Sequence, residues 1–395
     1  MSKWENVEIG SSGLKIADGN YSAKYPRSEE FIVEGVPFIR ANNFKNKTIQ
    51  DEDMYFISPE KHAELKKGHV LPNDVLITTR GNIGEVAIVP KRHNDSNINA
   101  QIVLLRSYGN FHPLYLLHVL GSNLVKEQLP KLTTGTALKQ LPVKNLKKIK
   151  IPLPPLPTQQ KIAAILDEAD KLRQLNKQLI AKYEALSQSL FLEMFGDYIH
   201  DKNSKKKIED IASFIDYRGK TPERVDNGVP LISAKCVRPG YFDKTRLDFI
   251  SKETYSKVMT RGYPKVGDVL FTTEGATLGY TCRIPNGFKD FAVGQRLITL
   301  QVNENYNAIT LDYMLNSDTL QFEIFKQATG SAAKGIRSAK FAKILIPVPP
   351  LLLQNLFAQR IQVIEQQKAQ AQQALAKSED LFNSLLQRTF KTIDT

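Results

Sequence analysis

Disulfides, thiolate clusters and membrane spans are the first things this sequence lacks the residues to build. Only two cysteines, Cys236 and Cys282, occur among its 395 residues. They stand in no CxxC or Cys/His spacing, so a disulfide framework and a thiolate metal site are excluded and two reduced structural thiols are expected. No apolar run approaches the roughly 20 residues of a membrane-spanning helix. Met-Ser-Lys-Trp-Glu opens the chain without the apolar stretch of a signal peptide, and a cytoplasmic protein is expected. A phosphate-cradling loop is missing too. The nearest stretch, Gly330-Ser331-Ala332-Ala333-Lys334-Gly335, has neither the spacing nor the hydroxyl of a nucleotide loop. Without that loop, Asp167-Glu168-Ala169-Asp170, four letters that serve magnesium and nucleotide in helicases, does not make this chain a motor. The chain also has no Asn-Pro-Pro-aromatic or Asp-Pro-Pro-Tyr signature of an amino-methylating site and no Gly-rich methyl-donor loop. No catalytic residue and no metal ligand is nominated.

What is present is positive charge, unevenly spread. The net charge is +13, on a chain with 42% hydrophobic and 24% charged residues, the balance of an ordinary protein long enough for two or three domains. Residues 1–152 carry 21 basic against 15 acidic side chains, 153–200 carry 5 against 6, 201–347 carry 23 against 16, and 348–395 carry 5 against 4. Two basic stretches, each followed by a near-neutral one, fit two lobes that each grip a polyanion. The Lys205-Lys206-Lys207 run by itself reads as solvated linker.

The second half repeats the first at an offset of 193 to 195 residues. GVPFIRANNF (35–44) matches GVPLISAKCV (228–237), and NDVLITTRGNIG (73–84) matches GDVLFTTEGATLG (267–279) with one inserted residue. TGTALKQLPVKNLKKIKIPLPPL (134–156) matches TGSAAKGIRSAKFAKILIPVPPL (329–351) without a gap. The chain is therefore a tandem duplication of a lobe followed by a helix. Short apolar runs such as DVLITT, AIVP, DVLFTT and RLITLQV, bounded by Gly, Asn and Pro, predict strands. PLYLLHVLGSNLVKEQL and LDYMLNSDTLQFEIF have helical spacing, so each lobe is expected to be α/β with a mixed or largely antiparallel sheet. The fold class is α+β: lobes at 1–152 and 201–347, a central helix in 153–200 and a distal helix in 348–395. Gly81, Gly84, Gly275 and Gly279 are read as shaping turns.

The proline phrases IPLPPL and IPVPPL block helix and act as stiff hinges before helices that begin at Thr158 and near Leu353. In the first helix Ile162, Ile165, Ala169, Leu172, Asn176, Leu179, Tyr183, Leu186 and Leu190 step by threes and fours, a heptad seam. This seam leaves Asp167, Glu168 and Asp170 outside as solvated charges. Asn176 either sets register or faces solvent at a skip. The second helix offers Phe357, Ile361, Ile364, Lys368, Ala371, Leu375, Ser378, Phe382 and Leu385. A helix leaving lobe one toward lobe two and another running back pair antiparallel, as a rod of about 55 Å with a pseudo-twofold axis. Two different basic lobes suit DNA read as two unlike words with an unread spacer.

At this point the whole chain resembles the specificity subunits of type I restriction-modification systems. The resemblance rests on the doubled DVLITTRGNIG and DVLFTTEGATLG, the doubled TGT and TGS, and IPLPPLPTQQKIA answered by IPVPPLLLQNLFA. It implies that the lobes are target recognition domains and that two methyltransferase subunits dock beside the helices. Those subunits would bring S-adenosylmethionine and methylate adenine N6, and restriction subunits would add ATP- and Mg-driven translocation and cleavage. The chain itself would bind double-stranded DNA, no cofactor and no membrane. The alternatives are a specificity subunit of another multi-subunit methyltransferase or nuclease system, and a stand-alone duplicated scaffold.

Arg, Lys, Asn and Gln read bases, while Lys and small polar loops hold phosphates. On that chemistry the DNA-binding candidates of lobe one are Arg40, Asn42, Asn43, Lys45, Arg80, Asn82, Lys91, Arg92, Thr134, Thr136 and Lys139. Those of lobe two are Lys235, Arg238, Glu274, Thr277, Arg283, Gln295, Arg296, Thr329, Ser331, Lys334 and Arg337.

Overall fold

A computed structural model describes residues 4–21, 24–136, 138–201, 203–217, 222–330 and 334–390. The chain divides into two compact units, 1–179 with 371–395, and 180–370. Each unit thus holds one lobe and part of each long helix, α1 (Leu156–His200) and α2 (Leu351–Thr389). The helices begin two residues earlier than the proline phrases suggest, with Pro157 in the first turn of α1, where its missing N–H has no partner to lose.

In the first unit a six-stranded sheet runs in the order Lys15–Asp18, Ile102–Arg106, Val75–Thr78, Val86–Ile88, Thr48–Ile49, Phe44–Lys45. A four-stranded sheet orders Asn97–Ile98, Val36–Ile39, Tyr55–Ile57, Phe31–Ile32. Pairing is antiparallel except where Asn97–Ile98 meets Phe38–Ile39 and Thr48 meets Ile88. Strand alternation divides the interior into two cores. Val75, Ile77, Val103 and Leu105 face one that also takes Ala163, Leu166 and Ala169 of α1 and Phe382 of α2. Leu76, Ile102 and Leu104 face the other, away from the helices. The second unit repeats the plan with Ala212–Asp216, Leu297–Val302, Val269–Thr272 and Thr281–Arg283 in one sheet. Asp248–Ile250, Val229–Ile232 and Ala292–Val293 form another. Val269, Phe271, Ile298 and Leu300 point toward Phe191, Phe195, Phe357 and Ile361 of the helices, whereas Leu270 and Leu297 point to the opposite core.

Each lobe is closed by an antiparallel strand pair at its proline phrase: Asn6–Glu8 with Lys150–Pro152, and Lys205–Lys207 with Leu345–Pro347. The triple-lysine run is therefore a strand rather than a linker. Just beyond, a buried glutamine locks each helix to its lobe. Gln159 accepts from the His112 N–H at 2.9 Å and donates to the carbonyls of Pro154 at 2.9 Å and Asn110 at 3.0 Å. Gln354 accepts from Asn307 N–H at 2.9 Å and donates to Pro349 O at 2.7 Å. These bonds explain why PPL is followed at the same distance by Gln in both copies.

Within each unit the helices run antiparallel: in the first, Arg173 lies over the Phe382 ring and Asn176, further along α1, donates to Ser378 Oγ at 3.4 Å, and in the second Glu184 pairs with Lys368 while Phe191 and Phe195 pack on Phe357. Asn176 thus faces α2. Of the expected seam of α2, Phe357, Ile361, Ile364, Ala371, Ser378 and Phe382 are buried, and Lys368, Leu375 and Leu385 are half-buried. That of α1 is corrected. Ala169 is buried and Ile162 and Leu190 are half-buried, but Ile165, Leu172, Leu179 and Leu186 are 56%, 48%, 39% and 49% exposed. The inward face instead carries Gln159, Ala163, Leu166, Asp170 and Arg173, and, in the second unit, Ser187, Phe191 and Phe195. Gln159, Ala163, Leu166, Asp170 and Arg173 recur at threes and fours, so a helix pinned at Gln159 turns that face inward and leaves the leucines outside. Asp170 is accordingly buried, not solvated. It binds Lys47 Nζ at 3.0 Å and Arg173 Nη2 at 2.5 Å, and both cations lie over the Phe382 ring.

Cys236 and Cys282 are buried free thiols, and burial pushes both above the usual thiol range. No helix among the described residues is long and apolar enough to cross a membrane.

Candidate nucleic-acid interface

The same four segments meet in each lobe, joined by matching backbone bonds. In the first, Thr79 N–H donates to Gln101 O at 2.8 Å and Leu141 N–H donates to Thr79 O at 2.9 Å. Residues 80 and 134 both bridge to Gln140, and Asn99 N–H donates to Ile39 O at 2.9 Å. In the second, Thr273 N–H donates to Arg296 O, Ile336 N–H to Thr273 O and Gly294 N–H to Ile232 O, and residues 274 and 329 both bridge to Gly335. Strand ends and turns are thereby drawn to one edge of each lobe. Gly84 and Gly279 make the turn feasible. Both have positive φ (90° and 86°), and a Cβ would strike Leu129 Cδ1 at 2.5 Å or Gln321 Oε1 at 2.6 Å.

Along the first lobe's edge lies a cleft of about 480 Å³ lined by Tyr25, Phe31, Arg40, Asn42, Tyr55, Asn99 and Gln101. The Arg40 guanidinium lies 3.3 Å from the centre of the Tyr55 ring and donates to Asp53 O at 2.6 Å, so it is held in place. Arg80 approaches the Tyr21 ring at 5.2 Å. Burial, with Asp18, pushes the Tyr21 hydroxyl above its usual range against the opposing pull of Arg80 and Thr79, and burial does the same to Tyr25. Guanidinium, amide and aromatic groups on one open surface can hydrogen-bond base edges, pair with phosphates and stack on exposed rings.

Of the nominated residues, Arg40, Asn42, Arg80, Asn82, Thr134, Thr136 and Lys139 lie on these converging segments. In the second lobe Glu274, Thr277, Gln295, Arg296, Thr329, Lys334 and Arg337 occupy the matching loops, with Arg296 Nε 2.9 Å from Glu274 Oε1. Lys235 is exposed and paired with Asp248 at 2.6 Å. Ser331 lies outside the described residues.

Two nominations are corrected. Asn43 is 1% exposed, and its amide accepts from Arg40 N–H and donates to Glu52 O, bracing a turn instead of meeting solvent. Arg283 is drawn inward between Asp312, at 3.4 Å, and Glu365. Arg92 remains exposed, turned toward the Phe44–Ile49 hairpin and bonded to Asp51 at 3.0 Å and to Ile49 O. Lys45, Lys91 and Arg238 lie on or beside hairpins that none of the bonds above joins to the edge.

Asn99 and Gln101 went unnominated, although Gln101 stands at the repeat position of Arg296, so the repeat register alone would have supplied it. Tyr21, Tyr25 and Tyr55 carried no comparable signal, because isolated aromatics in loops are common.

Comparison with known proteins agrees with this doubled architecture. The model of the type I restriction modification DNA specificity domain matches residues 1–185 and again 201–377. The chain belongs to that family. Relatives include the type I restriction enzyme EcoKI specificity subunit of Escherichia coli (strain K12), 21% identical across 90% of this chain and 82% of that one. The MjaVIII specificity subunit of Methanocaldococcus jannaschii is 26% identical across 92% and 86%. In fold, the chain is similar to the S subunit of a type I restriction-modification system from M. genitalium, with a TM-score of 0.64 at 15% identity, covering 99% of this chain and 97% of that one.

Proposed function

We propose that this chain is the sequence-reading subunit of a type I restriction-modification complex, each lobe reading one word of a split, asymmetric DNA target. The observation that carries the reading is the repeated edge, where four segments bring Arg40, Asn42, Asn99 and Gln101 together in one lobe and Glu274, Arg296 and Lys334 in the other. A duplicated edge with different side chains is what two unlike half-sites require. Held guanidinium and amide groups supply direct readout in the major groove, while flanking Lys and Thr residues hold the backbone.

The remaining roles belong to partners. Ile165, Leu172, Leu175 and Leu179 form one exposed apolar strip on α1, and a strip of this kind offers a methyltransferase subunit a docking face. Two such subunits would carry S-adenosylmethionine and flip and methylate adenine, and restriction subunits would use ATP and Mg. The helices shared by the two units would set the unread spacer.

The test is methylation in a reconstituted system, with product adenines mapped by sequencing. The chain alone with DNA and S-adenosylmethionine is expected to transfer nothing, and addition of the cognate methyltransferase subunit to yield N6-methyladenine at a bipartite motif. Replacing residues 1–152 by another family member's first lobe is expected to change one word and leave the other. Methyl transfer by the chain alone, or simultaneous change of both words, overturns the reading.

A further inference from the structure

Away from the reading edge, two histidines and a carboxylate converge in the first lobe. His62 lies on the short helix Pro59–Glu64, His69 precedes the strand Val75–Thr78, and Asp95 follows the turn Lys91–His93. Their ligand atoms all lie within 4.8 Å of one another. His62 Nε2 is 3.3 Å from Asp95 Oδ2, and His69 Nδ1 is 3.0 Å from Asp95 Oδ1.

The outward bonds of the two rings determine what faces the carboxylate. His69 Nε2 meets the carbonyl of Leu65, and His62 Nδ1 meets the Asn97 side-chain oxygen at 2.5 Å. A carbonyl only accepts, so each of those nitrogens carries the hydrogen, and a neutral ring presents its bare lone pair to Asp95. Two lone pairs and a carboxylate repel unless positive charge lies among them, and either a proton on each ring or one bound cation shared by the three groups supplies it. Metal-binding imidazoles are held in this manner, with the second ring nitrogen donating to a carbonyl or carboxylate that fixes tautomer and orientation.

Dimensions and rigidity agree. Bonds of about 2.0 to 2.2 Å to a tetrahedral ion place ligand atoms roughly 3.3 Å apart; the two histidine nitrogens lie 3.3 and 3.0 Å from different oxygens of Asp95, and one ligand atom of each residue lies within 4.8 Å of the other two. The supporting backbone is tied together: Asp95 N–H donates to Val70 O at 2.8 Å, Val70 N–H to Ser96 O at 2.9 Å, and Ile98 N–H to Gly68 O at 2.9 Å. Asp95 itself is held at φ 58°. Its side chain is 56% exposed, which leaves an approach for the ion and a fourth position for water.

We propose that His62, His69 and Asp95 bind one divalent transition-metal ion of the zinc class. Imidazole ligands favour such an ion over magnesium or calcium, which take oxygen donors. The ion would tie together three segments next to the strand Asn97–Ile98, which leads into Asn99 of the cleft. Residues 201–347 contain no histidine, so the site belongs to one lobe. It does not depend on the DNA-reading proposal, because metal binding is measured without DNA.

The full-length chain, stripped with a chelator, is titrated with Co²⁺ and followed by its visible absorption, then challenged with Zn²⁺ and, separately, Mg²⁺. One equivalent of Co²⁺ with the strong bands of a tetrahedral site is expected, displaced by Zn²⁺ and indifferent to Mg²⁺. Asp95→Asn and His69→Ala are each expected to weaken Co²⁺ binding by at least about 100-fold, since outer-shell changes alone cost 10 to 100-fold. Circular dichroism checks that each variant is folded, and the exposed position of Asp95 favours an intact Asp95→Asn protein. Absence of a Co²⁺ spectrum in the parent chain, or undiminished binding in folded Asp95→Asn, overturns the proposal and leaves an ion-pair cluster.

Discussion

Gln101 and Arg296 occupy equivalent places in the two lobes, each supplying the carbonyl that receives the N–H of the second threonine of the doubled TT. If both read bases, Gln101→Ala and Arg296→Ala should each cost on the order of 1 to 3 kcal/mol of DNA affinity and relax a different word. Binding assays on target variants check this, and unchanged affinity removes the residue concerned from the interface. His118 supports a second prediction. It is buried, and burial together with Lys47 depresses its imidazole to about 3, against the opposing pull of Asp170. A depressed folded value means that the ring's contribution is present above the unfolded pKa near 6.5 and is lost as pH falls toward 3. Between pH 7 and pH 5 the parent should lose about 2 kcal/mol from this group. His118→Leu should lose correspondingly less, read from denaturant unfolding at both pH values.

At the scale of elements, the long helices are held to the lobes by polar bonds as well as by apolar contacts. Gln159→Leu would strand the His112 N–H and the carbonyls of Pro154 and Asn110. Each buried orphan costs about 1 to 3 kcal/mol, so a loss of at least about 2 kcal/mol in chemical denaturation is expected, and Gln354→Leu should behave alike. The exposed strip on α1 should respond in the opposite sense. Leu172→Ser and Leu179→Ser should alter stability by no more than about 0.5 kcal/mol yet weaken association with the methyltransferase subunit in a pull-down or by calorimetry. A large stability loss there would show that the strip is already covered within the chain.

For the whole molecule, the division into units falls within both helices, between 179 and 180 and between 370 and 371. Inserting four residues at both points adds about 6 Å to each helix and little more than one turn, so both faces are nearly preserved. With base pairs about 3.4 Å apart, the methylated motif should keep both words and gain one or two base pairs of spacer. Two-residue insertions rotate each helix by roughly 200° and should abolish activity. An active four-residue variant with an unchanged spacer would show that the helices do not set the distance.

The duplication, the strand runs, the helix beginnings near the proline phrases and the inward face of α2 were legible in the sequence, because each is a local or repeated pattern and the apolar residues of α2 have one periodicity to follow. The rotation of α1 was not. Its leucines trace a plausible stripe of their own, and only the docking of Gln159 into the lobe decides that Ala163, Leu166 and Asp170 turn inward. The candidate site divided similarly. Residue type marked Arg40, Asn42, Arg80 and Arg296 as groups able to read DNA, but burial took Asn43 inward and two carboxylates claimed Arg283. Asn99 and Gln101 joined the edge through backbone bonds between segments far apart in the chain. Composition determined what kind of partner these lobes can grip. Long-range pairing decided which side chains are free to do it, because a side chain's chemistry is its own and its exposure belongs to its neighbours.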